Sequence, residues 1–159
     1  LDQYERVVFE TQDEAFYYLL DDPRNDTGRL GPSFSHESHT IGIGMMPRVV
    51  NTKQVIQDIQ YYKFGPETLT IQFHIEDDFL QENSEVTVSF YKGVCSLSSE
   101  KADVHIDIDI ANYSSLLYGS VTFKKLYEYG LISLSDISYS DRLIALFGNG
   151  VKPICTMSY

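Results

Sequence analysis

The 159-residue sequence is 43% apolar, contains 12 tyrosines and 9 phenylalanines, and carries a formal net charge of −11. This composition excludes a disordered chain, and no apolar run approaches the ~18 residues that a transmembrane helix needs. The 23 acidic side chains outnumber the 12 basic ones, which disfavours nucleic acid and anionic membranes as partners because both present phosphate groups.

The acidic field also favours cationic partners such as polyamines, amino sugars or basic peptides, although an acidic surface without any such partner is the commoner case. Cys95 and Cys155 form neither a CxxC motif nor a disulfide-dense scaffold, so we expect reduced thiols and a cytoplasmic protein rather than a Cys95–Cys155 bridge. The chain begins at Leu1 in a strand-like segment without a leader pattern, which indicates a piece of a longer polypeptide.

The first part of the chain predicts only short elements. Residues 4–11 have the β-branched and aromatic content of a strand, and residues 14–20 predict one or two helical turns that Pro23 ends. Residues 24–40 are rich in Gly, Ser, Asp and Asn and predict an exposed loop. We therefore expect a domain boundary after residue 41.

Residues 42–50 predict a strand with Pro47 at an edge or bulge. Asn51 or Thr52 then caps a predicted helix that runs to Tyr62. Its apolar residues share one face: Val55, Ile56, Ile59 and Tyr62.

The middle of the chain has a period of two. Apolar and polar residues alternate in 69–75, 86–90 and 104–110, which predicts antiparallel strands with one covered and one exposed face. A fourth strand is predicted near 94–98, and 76–85 is interpreted as an acidic loop.

Three short apolar pieces follow, closed by Gly119, Gly130 and Gly148. Glycine after the last apolar residue is a common helix stop, because it enters the left-handed region without a Cβ penalty. The pattern predicts two or three short helices and a final extended strand. Strands followed by helices give an α+β fold, with short helices covering one face of an antiparallel or mixed sheet.

Taken in order, L-L-Y-G at 116–119, D-R-L-I-A-L-F-G at 141–148 and P-I-C at 153–155 resemble the C-terminal, sterol-carrier-protein-like module of Eis-like (enhanced intracellular survival) N-acetyltransferases. The resemblance covers 42–159 and implies a sterol-carrier-like domain there. Residues 1–41, with F-Y-Y-L-L-D-D-P-R-N, resemble the tail of a preceding GNAT-like domain.

The resemblance implies a parent enzyme that transfers acetyl from acetyl-CoA to a cationic amine, and this domain would help to wall the substrate cleft. The remaining GNAT domains would be partners, and homo-oligomers occur in the family. The chain has no V-x-P-x-x-R/Q-x-x-G-x-G/A loop for the pyrophosphate, so we expect it to be inactive alone. The alternative is a non-enzymatic sterol-carrier-like domain that binds an apolar ligand. Four large residues argue against an open tunnel: Phe73, Phe90, Phe123 and Phe147.

The resemblance to Eis-like enzymes also implies a catalytic group. The C-terminal residue would reach into the substrate cleft, and its α-carboxylate would act as the general base. The matching position is Tyr159 or a residue just beyond it, which makes the terminal carboxylate there the candidate catalytic group of the parent. The alternative is a strand end that only packs.

Other candidate sites have ordinary explanations. His105, Asp107 and Asp109 carry metal-ligand chemistry, but strand neighbours on one face are about 6.6 Å apart, and a solvated acidic face is favoured. His36 and His39 on a glycine-rich loop are interpreted as solvated, and no metal is expected. An aromatic set could line a ligand cavity but is more often plain core: Tyr113, Tyr118, Phe123, Tyr127 and Tyr129.

Overall fold

The computed structural model describes most of the chain, namely residues 16–22, 24, 30–31, 35–36, 38, 46–148 and 153. The chain divides into two compact units, one of residues 46–153 and one of residues 1–45 with 154–159. The predicted strand at 4–11, the boundary after residue 41 and the final strand lie outside the described residues.

The smaller unit contains three short described elements. A 3-10 helix at Phe16–Leu19 lies where the sequence predicts helical turns. Strand β1 (Leu30–Gly31) pairs antiparallel with β2 (Ser35–His36), within the segment that the composition predicts to be a loop.

The larger unit is built on a five-stranded mixed sheet. Its strands are β3 (Leu69–Asp77), β4 (Glu82–Tyr91), β5 (Val94–Leu97), β6 (Val104–Asp109) and β7 (Ile132–Leu134). Their order is β5-β4-β3-β6-β7. Neighbouring strands are antiparallel except β3 and β6, which run parallel. The prediction of antiparallel strands is wrong for that pair, because alternation reports which face a side chain takes and not the direction of the neighbouring strand.

Two features of the strands are not predicted by the sequence pattern. The predicted acidic loop at 76–85 is mostly strand, since β3 continues to Asp77, β4 begins at Glu82, and a short turn joins them. These strand ends are polar because they extend past the buried core. Strand β7 has only three residues and follows Gly130 closely, which is too short for periodicity to show.

The helices are short. They are α1 (Gln54–Asp58), α2 (Ile110–Leu117), α3 (Phe123–Glu128) and α4 (Ser140–Phe147). Helix α1 ends before the predicted limit at Tyr62, and 46–49 has no regular structure where a strand is predicted. The side chain of Asp109 caps α2 by accepting from the main-chain N–H groups of Ala111 and Asn112.

Helices end at all three predicted glycines, and the left-handed conformation is confirmed at two of them. Gly119 (φ 71°) and Gly130 (φ 67°) enter the left-handed region after α2 and α3. Gly148 follows α4 with a φ of −84°, so the left-handed stop predicted there is wrong. Glycine fits at that position for another reason, because an added Cβ would lie 2.5 Å from the carbonyl oxygen of Ile144.

The core lies between one face of the sheet and the helices, which confirms the α+β architecture with helices on one side. The inward residues of β3, β4 and β6 are almost fully buried, whereas the intervening residues are polar. Rings fill the centre of this layer. Phe64, Phe90 and Phe147 pack edge to face, with centroids 5.1–5.8 Å apart, and Phe123 stacks on Phe147.

Candidate functional site

The segment that opens the larger unit is tied to helix α2. The buried main-chain N–H of Val49 donates to Oγ of Ser114 at 2.9 Å, and that hydroxyl donates to the carbonyl of Ile110 at 2.6 Å. The phenol of Tyr113 donates to the carbonyl of Thr52 at 3.2 Å. Burial raises the pKa of Tyr113 far above its usual range, so the phenol stays a neutral donor. Two consecutive helix residues therefore fix the entry of the chain into this unit.

Replacement of Ser114 by alanine should destabilise the larger unit by about 1–3 kcal/mol, because it leaves the buried N–H of Val49 without an acceptor. Urea unfolding followed by circular dichroism measures the change. Ser115→Ala, one residue along α2, is the matched control and should cost clearly less. Equal losses for the two variants would show that the bond to Val49 contributes nothing beyond helix propensity.

A surface cavity of about 190 Å³ lies beside this anchor, at the end of the β3–β4 hairpin. Its lining mixes apolar and polar residues: Val49, Val50, Asn51, Thr52, Ile75, Asp77, Leu80, Glu82, Ser84 and Ile110. Arg48 pairs with Asp77 and lies over the ring of Phe79 at 4.9 Å. Burial acts to raise the pKa of Asp77, but hydrogen bonds from the Leu80 main chain and from Arg48 outweigh it and lower the pKa. The volume of this cavity is below the ~300 Å³ at which typical ligand pockets begin, so it is small for a lipid.

A polar network lies on the face of the sheet opposite the described helices α1–α4. Nδ1 of His74 is 3.0 Å from Oδ1 of Asp107, and Oγ of Ser133 donates to Oδ2 of the same carboxylate at 2.7 Å. The serine therefore bonds to the carboxylate and not to the imidazole. A nucleophilic serine needs a base within hydrogen-bond reach of its hydroxyl, so this set is not a hydrolytic triad.

The candidate metal residues of this face are engaged separately. Asp109 caps α2, Asp107 bonds to His74 and Ser133, and Nδ1 of His105 is buried without a hydrogen-bond partner. Within the described ranges no three His, Cys, Asp or Glu side chains are placed to hold a metal ion. His39 lies outside those ranges, and the described main chain of His36 belongs to β2.

The network gives a pH prediction. The hydrogen bond from Ser133, together with His74, lowers the pKa of Asp107 below its usual value, even though burial acts to raise it. Asp107 therefore contributes stability that is present above its unfolded pKa of about 3.9 and is lost as pH falls through the folded pKa. We expect Asp107→Asn to lower the urea midpoint at pH 7 and to leave it unchanged near pH 2. The exposed turn residue Asp78, changed to Asn, is the control, and an equal deficit of Asp107→Asn at both pH values would contradict the linkage.

The predicted aromatic set does not surround one cavity. Tyr113 and Phe123 are fully buried in the core, whereas Tyr118 and Tyr129 are 46% and 75% exposed. Tyr127 is half-buried at the margin. The interpretation as plain core is therefore confirmed for Tyr113 and Phe123 and is wrong for the exposed Tyr118 and Tyr129.

Tyr159, the candidate catalytic position, and Cys155 lie outside the described residues. Cys95 is a free, buried thiol whose pKa is raised by burial. None of the described helices is long and apolar enough to cross a bilayer.

The sequence matches the family model described as the sterol carrier protein domain over residues 52–156. No curated protein matches the chain. Several solved structures share the fold at low identity. Eis1 from Mycobacterium abscessus is 21% identical with a TM-score of 0.51, and the match covers 70% of this chain and 27% of Eis1.

A conserved protein from Enterococcus faecalis V583, named a probable N-acyltransferase, is 20% identical with a TM-score of 0.50 over 66% of this chain and 26% of that one. Palmitated SCP2L2 from Aedes aegypti is 13% identical with a TM-score of 0.43, over 62% of this chain and 88% of that one. The chain thus spans about a quarter of the length of the two bacterial proteins.

Proposed function

The chain belongs to the sterol carrier protein domain family, and we propose that it is the sterol-carrier-like domain of a longer, Eis-like N-acetyltransferase. In this proposal residues 42–159 form the domain and residues 1–41 are the tail of a preceding GNAT-like domain. The parent is a cytoplasmic enzyme that moves an acetyl group from acetyl-CoA to an amine. The domain itself performs no chemistry except through its terminal carboxylate.

The observation that carries the proposal is the asymmetry of the match with Eis1. The shared fold takes up 70% of this chain but only 27% of Eis1, as expected for a module within a larger enzyme. The Enterococcus faecalis protein gives nearly the same two shares. The other GNAT domains of the polypeptide are then its immediate partners, and homo-oligomers follow from the family resemblance.

The charge supports a cationic amine as substrate. A chain with a net charge of −11 attracts cations over a Debye length of about 8 Å at physiological salt, and a domain that walls a cleft adds this field to the cleft. The acidic side chains on the open face of the sheet, such as Glu76 and Glu85, are exposed to solvent and contribute to it.

The alternative, a carrier of an apolar ligand, is less well supported by the packing. A carrier needs unfilled apolar space between sheet and helices. Here that layer holds rings in contact. Phe64 packs edge to face on Phe90, Phe123 stacks on Phe147, and Phe73 packs edge to face on Tyr113.

Two binding measurements on the 159-residue chain test the proposal. Calorimetric titration with acetyl-CoA should give no more heat than titration of an unrelated control protein, because the chain lacks the pyrophosphate loop. Displacement of a fluorescent fatty acid should likewise show no saturable site. Micromolar binding of acetyl-CoA would refute the assignment as a non-catalytic domain, and stoichiometric fatty-acid uptake would favour the carrier function.

A further inference from the structure

The cavity at the end of the β3–β4 hairpin has an apolar floor. Val49, Ile75 and Ile110 line it and are buried, and the exposed side chains of Val50 and Leu80 flank them at the surface. An apolar cavity of about 150 Å³ is large enough to bind one benzene ring. The cavity here, of about 190 Å³, therefore has room for one ring or one short branched alkyl group.

The polar side chains of the lining are engaged, with one exception. Oδ1 of Asn51 accepts from two main-chain N–H groups at the start of α1, and the hydroxyls of Thr52 and Ser84 lie 3.3 Å apart. Asp77 pairs with an arginine and accepts from two N–H groups of its own turn. Glu82 is exposed, and no hydrogen bond or ion pair in the described part of the chain engages its carboxylate.

The charge around the cavity favours a cation. The segment 75–84 contains four acidic residues and no basic one. The guanidinium of Arg48 is already paired with Asp77, and Lys53 adjoins the lining in sequence without being part of it. A ligand that enters the cavity therefore meets hydrocarbon below and the free carboxylate of Glu82 at the rim.

We propose that this cavity binds a primary amine that carries one aromatic ring or one short branched alkyl group. The hydrocarbon part lies against Val49, Ile75 and Ile110, and the ammonium group pairs with the carboxylate of Glu82. The inference is independent of the proposed acetyl transfer, because every lining residue belongs to the described larger unit and no catalytic group takes part. A fatty acid fits neither the volume of this cavity nor its charge.

Three ligands of one shape test the chemistry. Phenethylamine is a cation at pH 7, phenethyl alcohol is neutral, and hydrocinnamate is an anion. In NMR titrations of the isotope-labelled 159-residue chain, phenethylamine should bind with a Kd on the order of 1 mM and shift the amides of 49–52 and 75–84. The alcohol should bind about 2–5-fold more weakly, as expected for the loss of an exposed ion pair, and the anion should bind most weakly of the three.

Glu82→Gln tests the partner of the ammonium group. It should raise the Kd of phenethylamine about 2–5-fold and leave that of phenethyl alcohol unchanged. Glu100→Gln makes the same change of net charge at an exposed position between β5 and β6, and it should leave both constants unchanged. Equal effects of the two variants would overturn the proposal, because the amine would then respond to the general field of the chain and not to this site.

A pair of leucine variants tests the location. Ser84 lines the cavity, whereas Asn83 lies on the opposite face of β4 by the alternation of the strand. Ser84→Leu should fill the cavity and raise the Kd of phenethylamine at least ~10-fold, and Asn83→Leu should not change it. Circular dichroism checks that both variants fold, and the ligand series on the wild-type chain decides the matter if Ser84→Leu does not. Equal binding of amine and alcohol by the wild-type chain would overturn the proposal, as would amide shifts outside the lining.

Discussion

Extending the native polypeptide by two or three residues beyond its own last residue should lower its acetyl-transfer turnover by on the order of 10²-fold or more, with little effect on folding. In the proposed mechanism the terminal α-carboxylate accepts the proton of the attacking amine, directly or through a water. General-base catalysis contributes on this scale, and an added residue turns the carboxylate into an amide that is no base. Steady-state rates with acetyl-CoA and an amine measure the effect.

The matched control changes the terminal residue to phenylalanine, which is Tyr159→Phe where the native polypeptide ends at Tyr159, and so keeps the α-carboxylate and an aromatic ring while removing the phenol. It should retain turnover close to that of the wild-type polypeptide. A free α-carboxylate has a reference pKa of about 3.3–3.7, so its use as a base also requires desolvation in the cleft to raise that pKa. An extended enzyme that acetylates at the wild-type rate would remove the carboxylate from the mechanism.

Phe73→Ala should lower the free energy of unfolding by about 3–5 kcal/mol, the usual cost of truncating a buried phenylalanine. Phe73 is completely buried on the central strand β3, and its ring packs edge to face on Tyr113 with centroids 5.3 Å apart. The variant therefore leaves a cavity where the sheet meets helix α2. Urea unfolding at pH 7 measures the loss.

Phe79→Ala is the control for the same chemical change. Phe79 lies in the β3–β4 turn with 80% of its surface exposed and contacts the guanidinium of Arg48, so its truncation should cost within about 1 kcal/mol. If Phe73→Ala lowered the free energy of unfolding no more than Phe79→Ala does, the layer between sheet and helices would contain unfilled space. That result would reopen the carrier function.

Much of the sheet could be predicted from the sequence because burial on one face forces alternation. The inward residues Ile71, Val88 and Ile106 occupy the core as expected. Strand direction could not be predicted, since a parallel and an antiparallel neighbour bury the same side chains. The hairpin arms that extend past the core carry polar residues on both faces and therefore resemble a loop.

The long-range contacts of the larger unit could not be predicted, because no local sequence pattern indicates them. The bond between Val49 and Ser114 joins residues 65 positions apart, and Arg142 bonds to Glu67 across 75 positions. Neither pairing follows from spacing or propensity. The N-cap role of Asp109 could have been predicted from the sequence, because an aspartate directly before the apolar run of α2 is a recognisable N-cap. Its position in an alternating acidic strand concealed that signal.

The central claim is that this domain belongs to an acetyl-transferring polypeptide. The most direct test is to express the complete native gene product, incubate it with acetyl-CoA and a panel of cationic amines, and measure the release of free CoA thiol. We expect amine-dependent release by the native product and none by residues 1–159 alone. A native product that releases no CoA with any amine, while residues 1–159 take up a fatty acid stoichiometrically, would contradict it.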